Sequence, residues 1–184
     1  TPTRPLLGIT VLVVEDSRFA CEALRLLCLR SGARVRRADC LKSARRHLRV
    51  YRPSVIVVDV GLPDGSGLDL IHELISATPR VPVILATSGD RYAEHAAMDA
   101  GADGYLHKPI ESLATFQAAI VDRLPDDRRP IALNLPTDEL IRPDPIAYQD
   151  DMAHAADVLA DIEDSKALDY VAQFVGGVAR SAAD

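Results

Sequence analysis

The chain has no tryptophan, and aromatic residues fill only 4% of its 184 positions, although 48% are hydrophobic. Its core must therefore be built from Val, Leu, Ile and Ala. No apolar run reaches the roughly 18 residues that a membrane-spanning helix needs. No basic-then-apolar leader opens the chain, so neither a membrane segment nor a secretory signal is expected. There is no initiator Met, and Thr1 is expected to mark a processed end or the boundary of a longer chain. Cysteine is scarce: Cys21, Cys28 and Cys40 form no CxxC pair, which argues against zinc-ribbon and dithiol redox motifs. Cys21 and Cys28 share a helix face if their segment is helical, and all three read as reduced, mostly buried thiols of a cytoplasmic protein. His47, His72, His95, His107 and His154 show no metal-ligand spacing.

The net charge of -6 is unevenly spread. Residues 1–124 carry 16 Lys+Arg against 14 Asp+Glu, whereas residues 125–184 carry 5 against 13. Phosphate backbones would repel so acidic a tail, so DNA is not expected as a partner. One basic run stands out: Arg34, Arg36, Arg37, Lys42, Arg45, Arg46, Arg49 and Arg52, against Asp39 alone. A solvated helix face is the default reading. Docking of an acidic partner, such as the chain's own tail, is the second, and nucleic-acid contact the third.

Hydrophobic patterning organises residues 1–124. The β-branched run at 9–14 suits a strand buried on both faces, and residues 54–58 and 81–86 repeat it. Weaker versions lie at 33–38 and 103–107. Between these runs, helical spacing appears from Ser17 to Ser31, where Ser17 can cap and Gly32 can stop the helix, around Leu41, Ala44 and Leu48, and over 67–77, 90–100 and 111–123. Five strands alternating with five helices in about 120 residues imply right-handed crossovers and a five-stranded parallel, doubly wound α/β sheet. Ligands of such sheets bind beyond the carboxyl ends of the strands.

The polar residues at those ends are concentrated. Glu15 and Asp16 follow the first strand, Asp59 ends the third, Thr87 and Ser88 follow the fourth, and Lys108 and Pro109 follow the fifth. Three carboxylates held together repel each other and need a compensating cation. An all-oxygen set with few fixed ligands suits Mg2+, which keeps several waters and accepts phosphate oxygens. Lys108 supplies a fixed positive charge for a phosphoryl group, Thr87 a hydroxyl donor, and Asp59 a central nucleophile whose product would be an acyl phosphate. Each residue has a plainer reading: Glu15 and Asp16 as helix N-terminal acids, Asp59 as a loop cap, Lys108 as a surface lysine. Convergence on one crevice favours the chemical reading. Gly65-Ser66-Gly67 lacks the Gly-Lys-Ser/Thr ending of a phosphate loop and reads as a turn and helix start.

At four segments the sequence resembles the receiver domains of two-component signalling: Val-Leu-Val-Val-Glu-Asp-Ser at 11–17, Val-Ile-Val-Val-Asp-Val-Gly-Leu-Pro-Asp-Gly-Ser-Gly at 55–67, Pro-Val-Ile-Leu-Ala-Thr at 82–87 and Gly-Ala-Asp-Gly-Tyr-Leu-His-Lys-Pro at 101–109. The resemblance spans about residues 8–124. It implies a flavodoxin-like fold of strand order 2-1-3-4-5 and Mg2+-dependent phosphorylation of Asp59 by a histidine kinase or histidine phosphotransferase. It also implies Mg2+ ligation by Asp16, Asp59 and the Gly61 carbonyl, with Glu15 acting through water. Lys108 and Thr87 would contact the phosphoryl oxygens, Tyr105 would be a switch aromatic coupled to Thr87, and Pro109 would follow a cis peptide. Departures are few. The acidic pair is Glu-Asp rather than Asp-Asp. Gly61 and Gly89 stand two residues after Asp59 and Thr87, where the family tunes dephosphorylation, which leaves the lifetime of the phosphorylated form open.

Residues 125–148 contain Pro125, Pro130, Pro136, Pro143 and Pro145 and no Gly, and read as an extended linker. Helical spacing returns over 149–163, with Met152, Ala156, Leu159 and Ile162 on one face. It returns again after Ser165, with Leu168, Val171, Val175 and Val178 as a seam that Gly176 and Gly177 either weaken or open to close approach. Residues 149–184 thus form an acidic helical extension, with more protein expected after Asp184. Its two helices must pack on the receiver, on a second copy in a homodimer, or on a partner. The leading reading is a response-regulator switch that catalyses only its own phosphorylation and dephosphorylation. The alternatives are a phosphorelay intermediate and an aspartyl-phosphate phosphatase, the latter disfavoured because Gly61 occupies the place of its second Asp. A phosphotransfer role for His154 is disfavoured because Ala-Ala-Asp follows it.

Overall fold

The computed structural model describes residues 4–130, 139–160 and 165–183, with the side chains of 165 and 166 left aside. A five-stranded parallel sheet forms from β1 (Thr10–Val14), β2 (Arg34–Ala38), β3 (Val55–Asp59), β4 (Val83–Ser88) and β5 (Gly104–His107). Its order is β2-β1-β3-β4-β5, and every pairing is parallel. A two-residue antiparallel pair, Gly61–Leu62 with Gly65–Ser66, follows β3, where the sequence suggests only a turn.

Alternation along the strands divides the core. Val11, Val13, Val55, Val57, Val83 and Leu85 face α1 (Arg18–Ser31) and α5 (Leu113–Val121) in one layer. Leu12, Val14, Ile56, Val58, Ile84 and Ala86 face α2 (Leu41–Val50), α3 (Gly67–Ser76) and α4 (Ala93–Asp99) in the other. Both faces are covered, so the three central strands carry continuous apolar runs. Each fully buried Val, Leu or Ile contributes about 1.5–3 kcal/mol of transfer free energy. Strand β2 is an edge, and its exposed Arg34, Arg36 and Arg37 deter pairing with another sheet.

Local signals fix the helix ends. Ser17 caps α1 by accepting from the Ala20 amide, and Gly32 closes it in the left-handed conformation, φ 84°. Ser66 and Ser112 cap α3 and α5 in the same way.

The C-terminal segment departs from the extended linker expected over residues 125–148, and of the packing options its helices take the receiver and each other. Leu140 bridges Ser112, and Ile141 is buried in the α1–α5 layer. Helix α6 (Pro145–Ala160) begins four residues before its expected start, because proline fits the first helical turn and Asp144 Oδ1 accepts from the Ile146 amide at 2.9 Å. Helix α7 (Ser165–Ala182) follows. Helices α6 and α7 pack on each other and on α1, and α7 also reaches the pair after β3. Their buried faces differ from the expected ones. In α6 the inner residues are Asp151 and Ala155, flanked by Tyr148, Met152 and Val158, whereas Ala156 and Leu159 are exposed and Ile162 lies outside the described residues. In α7, Val171, Phe174 and Val178 are buried, while Leu168 is 51% exposed. The cause is Asp151, a carboxylate on a buried face, for which hydropathy alone gives no hint. The described part of the tail contacts α1 and the sheet's carboxyl edge; no contact with the Lys42–Arg49 face is among those that dominate its packing. No helix among the described residues is long and apolar enough to cross a membrane.

Candidate functional site

The carboxyl ends of β1, β3, β4 and β5 meet in one crevice. Glu15 and Asp16 leave β1, and the Glu15 side chain turns inward because its Oε1 accepts the Ser17 amide at 2.9 Å. Asp59 ends β3, with Oδ1 accepting the Gly61 amide at 2.8 Å. Lys108 follows β5 ahead of a cis Lys108–Pro109 peptide, as expected. Its ammonium lies 2.7 Å from both Asp59 Oδ2 and Glu15 Oε2. Thr87 is fully buried at the end of β4, and its hydroxyl donates to the Leu106 carbonyl at 2.8 Å. Tyr105 is half-buried on β5; its hydroxyl donates to the Asp90 carbonyl and its ring meets His107 edge-on.

Electrostatics explain why these groups need one another. Ligand atoms of Glu15, Asp16 and Asp59 lie within 4.8 Å of one another. Burial, then the neighbouring Asp59 carboxylate, hold the Glu15 carboxyl well above the usual range. Burial pushes Asp16 up to about 6, against the pull of a hydrogen bond from Tyr170. For Lys108, burial alone would lower the ammonium's pKa, but Asp59 and Glu15 more than reverse this and hold it above its ordinary value. Glu15 Oε2 has no directed hydrogen bond and depends on the Lys108 charge. Were all three carboxyls ionised, the Lys108 ammonium alone could not balance them, so burial and mutual repulsion raise Glu15 and Asp16 until a further cation is supplied. That donor set fits a small, hard divalent cation such as Mg2+.

The crevice has a second wall that the sequence reading missed. The Tyr170 hydroxyl, on α7, donates to Asp16 Oδ2. Gln173, Gly177 and Arg180, also on α7, line the same cavity of about 270 Å³ together with Asp59, Lys108 and Gly89. Asp151, on α6, is 2% exposed and clamps the start of α1, accepting from the Ser17 hydroxyl and the Arg18 amide at 2.7 Å and from the Phe19 amide at 3.0 Å. A signal for the α7 wall does exist. Tyr170, Gln173, Gly177 and Arg180 recur at spacings of three, four and three, one polar helix face beside the apolar seam. His154 stands apart, exposed on α6 with its ring against Phe174.

Residues 11–120 match the family model of the response regulator receiver domain. The chain belongs to that family. Among curated relatives, TcrX of Mycobacterium tuberculosis is 40% identical over 118 residues, covering 62% of this chain and 50% of the relative. The KDP operon transcriptional regulatory protein KdpE of Escherichia coli is 35% identical over 100 residues, covering 54% and 44%. The chain thus spans about half the length of the curated relatives it matches. Among solved structures, the receiver domain of the sensor histidine kinase PA1611 from Pseudomonas aeruginosa, with magnesium in its active-site cleft, is 25% identical at a TM-score of 0.57, covering 63% of this chain and 97% of that one. A receiver domain protein from Clostridium thermocellum is 26% identical at 0.54, covering 62% and 93%. The flavodoxin-like receiver fold and the two-component class are therefore those the sequence implied. The expectation against DNA finds no support here: it rested on the tail's charge, and KdpE, of which the chain covers 44%, is named a transcriptional regulatory protein.

Proposed function

We propose that this chain is a phosphorylation switch whose acceptor is Asp59. The carrying observation is the Lys108 ammonium placed 2.7 Å from both Asp59 Oδ2 and Glu15 Oε2, at the edge of a buried triad of acids. In the transfer, the Asp59 carboxylate attacks phosphorus and forms the O–P bond as the P–N bond of a phosphohistidine breaks. The histidine belongs to a histidine kinase or a histidine phosphotransferase, and it leaves as a neutral imidazole after taking a proton. Mg2+, held by Asp16, Asp59 and the Gly61 carbonyl with Glu15 acting through water, would neutralise charge developing on the phosphoryl oxygens. Lys108 pairs with one phosphoryl oxygen. The Thr87 hydroxyl exchanges the Leu106 carbonyl for another, and Tyr105, released from Asp90, follows Thr87. The chain is not an enzyme acting on other substrates; the only reactions assigned are its own phosphorylation and dephosphorylation. Residues 1–124 form the receiver, residues 125–144 the connection and the helices from Pro145 onward the responsive tail. A homodimer would need a face other than the apolar cluster of α6 and α7, which is buried within the chain.

Acetyl phosphate with Mg2+, followed by intact mass, tests this reading, and beryllofluoride, a non-transferring mimic of the phosphoryl group, allows the same site to be followed by NMR. Wild type gains one phosphoryl group and Asp59→Asn gains none; equal labelling of the Asn variant would move the acceptor elsewhere.

A further inference from the structure

The acceptor crevice already has an occupant. Helix α7 lies across it over about three turns, from Tyr170 at Asp16 to Arg180 at the cavity wall. Three observations make this a fitted contact rather than a loose cover. The Tyr170 hydroxyl donates to Asp16 Oδ2, an oxygen of the cation-binding triad. The backbones of Gly177 and Gly89 approach so closely that a Cβ on Gly89 would stand 2.5 Å from the Gly177 Cα. A Cβ on Gly61 would stand 2.8 Å from the Gln173 amide oxygen. From behind, Asp151 ties α6 to the first turn of α1, the helix that directly follows Glu15 and Asp16.

From this geometry we infer that α7 is a resident, displaceable lid of the acceptor crevice, and that Tyr170 is the residue through which it sets divalent-cation affinity. The inference rests on the reading of Asp59 as phosphoacceptor. A carboxylate oxygen that accepts a phenolic hydroxyl must release it, or share it poorly, to bind a small cation. Tyr170 and the cation therefore compete for Asp16. A competitor inside the same chain lowers the apparent affinity by the fraction of molecules in which it is seated. The remaining cavity of about 270 Å³ admits a small phosphodonor but not a helix carrying a phosphohistidine. A protein donor must therefore find α7 lifted, and binding of the cation at Asp16 favours the lifted state by reciprocity.

The test uses the full chain and Mg2+ as probe, with backbone amides of the crevice and of α7 followed by NMR and hydrogen exchange. Tyr170→Phe keeps the ring and removes only the hydroxyl. It should bind Mg2+ about tenfold more tightly, the scale of one hydrogen bond to a charged group. Gly89→Ala would set a Cβ 2.5 Å from the Gly177 Cα; it should lose exchange protection over Val171–Ser181 with the sheet still protected, and should bind Mg2+ more tightly as well. In wild type, Mg2+ with beryllofluoride should reduce protection of the same α7 amides. Weaker Mg2+ binding by Tyr170→Phe would make Tyr170 a support of the cation site and overturn the inference, as would α7 amides that beryllofluoride leaves unchanged. Should Asp59 accept no phosphoryl group at all, the functional reading fails. Should Asp59 be labelled while α7 stays still, the lid alone fails.

Discussion

Replacing Asp151 with alanine isolates the joint between tail and receiver. The carboxylate is buried and accepts three hydrogen bonds from Ser17, Arg18 and Phe19. Ser17 itself stays in place as the cap of α1, because its Oγ still accepts the Ala20 amide at 3.0 Å. The lost interactions are therefore two charge-assisted bonds from orphan amides of the first helical turn, one bond from a hydroxyl, and the favourable placement of an anion at a helix N-terminus. Charged hydrogen bonds contribute about 1.5–3 kcal/mol each when measured singly, and the dipole term about 0.3–1 kcal/mol. These overlap, and water recovers part of the loss once the tail opens. A net cost of about 3 kcal/mol is expected, concentrated on tail docking rather than on the sheet. By the factor of ten per 1.4 kcal/mol, exchange protection of α6 and α7 amides should fall about 100-fold under native conditions. Val11–Val14 and Val55–Val58 should keep theirs. Native-state hydrogen exchange reads both sets in one experiment. A fall shared evenly by sheet and tail, or a tail effect under about threefold, would refute the view that Asp151 holds a separable docking contact.

Other expectations follow from the same structure. Lys108→Met removes the ammonium paired with two buried acids and should destabilise the metal-free chain by about 3–5 kcal/mol, with part restored by millimolar Mg2+, as denaturant titration would show. Burial pushes both the Cys21 and Cys28 thiols up to about 12. Because raised pKa values keep them as thiols at pH 8, only half-buried Cys40 should react promptly with a thiol reagent, and a mass count of more than one fast label would contradict this. Phe116 is fully buried between α5 and the sheet, so Phe116→Ala should cost about 3–5 kcal/mol in chemical denaturation.

Legibility in the sequence tracked how local each determinant was. Strands β1, β3 and β4 are continuous apolar runs covered on both faces, and their pattern survives any detail of packing. Helix α1 is bracketed by Ser17 and Gly32, each of which acts within its own turn. The convergence of Glu15, Asp16, Asp59, Thr87 and Lys108 follows from strand ends alone, since a parallel sheet brings those ends to one edge. The tail was legible as helices that must pack on something, but not as to which faces turn inward or where they dock. Its orientation depends on Asp151 meeting amides more than 130 residues earlier in the chain, and no pattern within α6 marks an acid as inward-facing. Pro145 likewise reads as linker composition but serves as a helix start.

The two glycines that set this chain apart from a side-chain-bearing acceptor site acquire a physical cause in the docked tail. A residue with a Cβ at Gly89 would strike the backbone of α7, and one at Gly61 would meet Gln173. Backbone atoms cannot give way as the end of a flexible side chain can, so the Gly89 contact is the stricter of the two. Gly89→Ala should therefore lift α7 with the sheet intact, whereas Gly61→Ala should be accommodated by a rotation of Gln173. Exchange protection of the α7 amides, lost in the first variant and kept in the second, distinguishes a crevice shaped around its own helix from one in which glycine merely happens to stand.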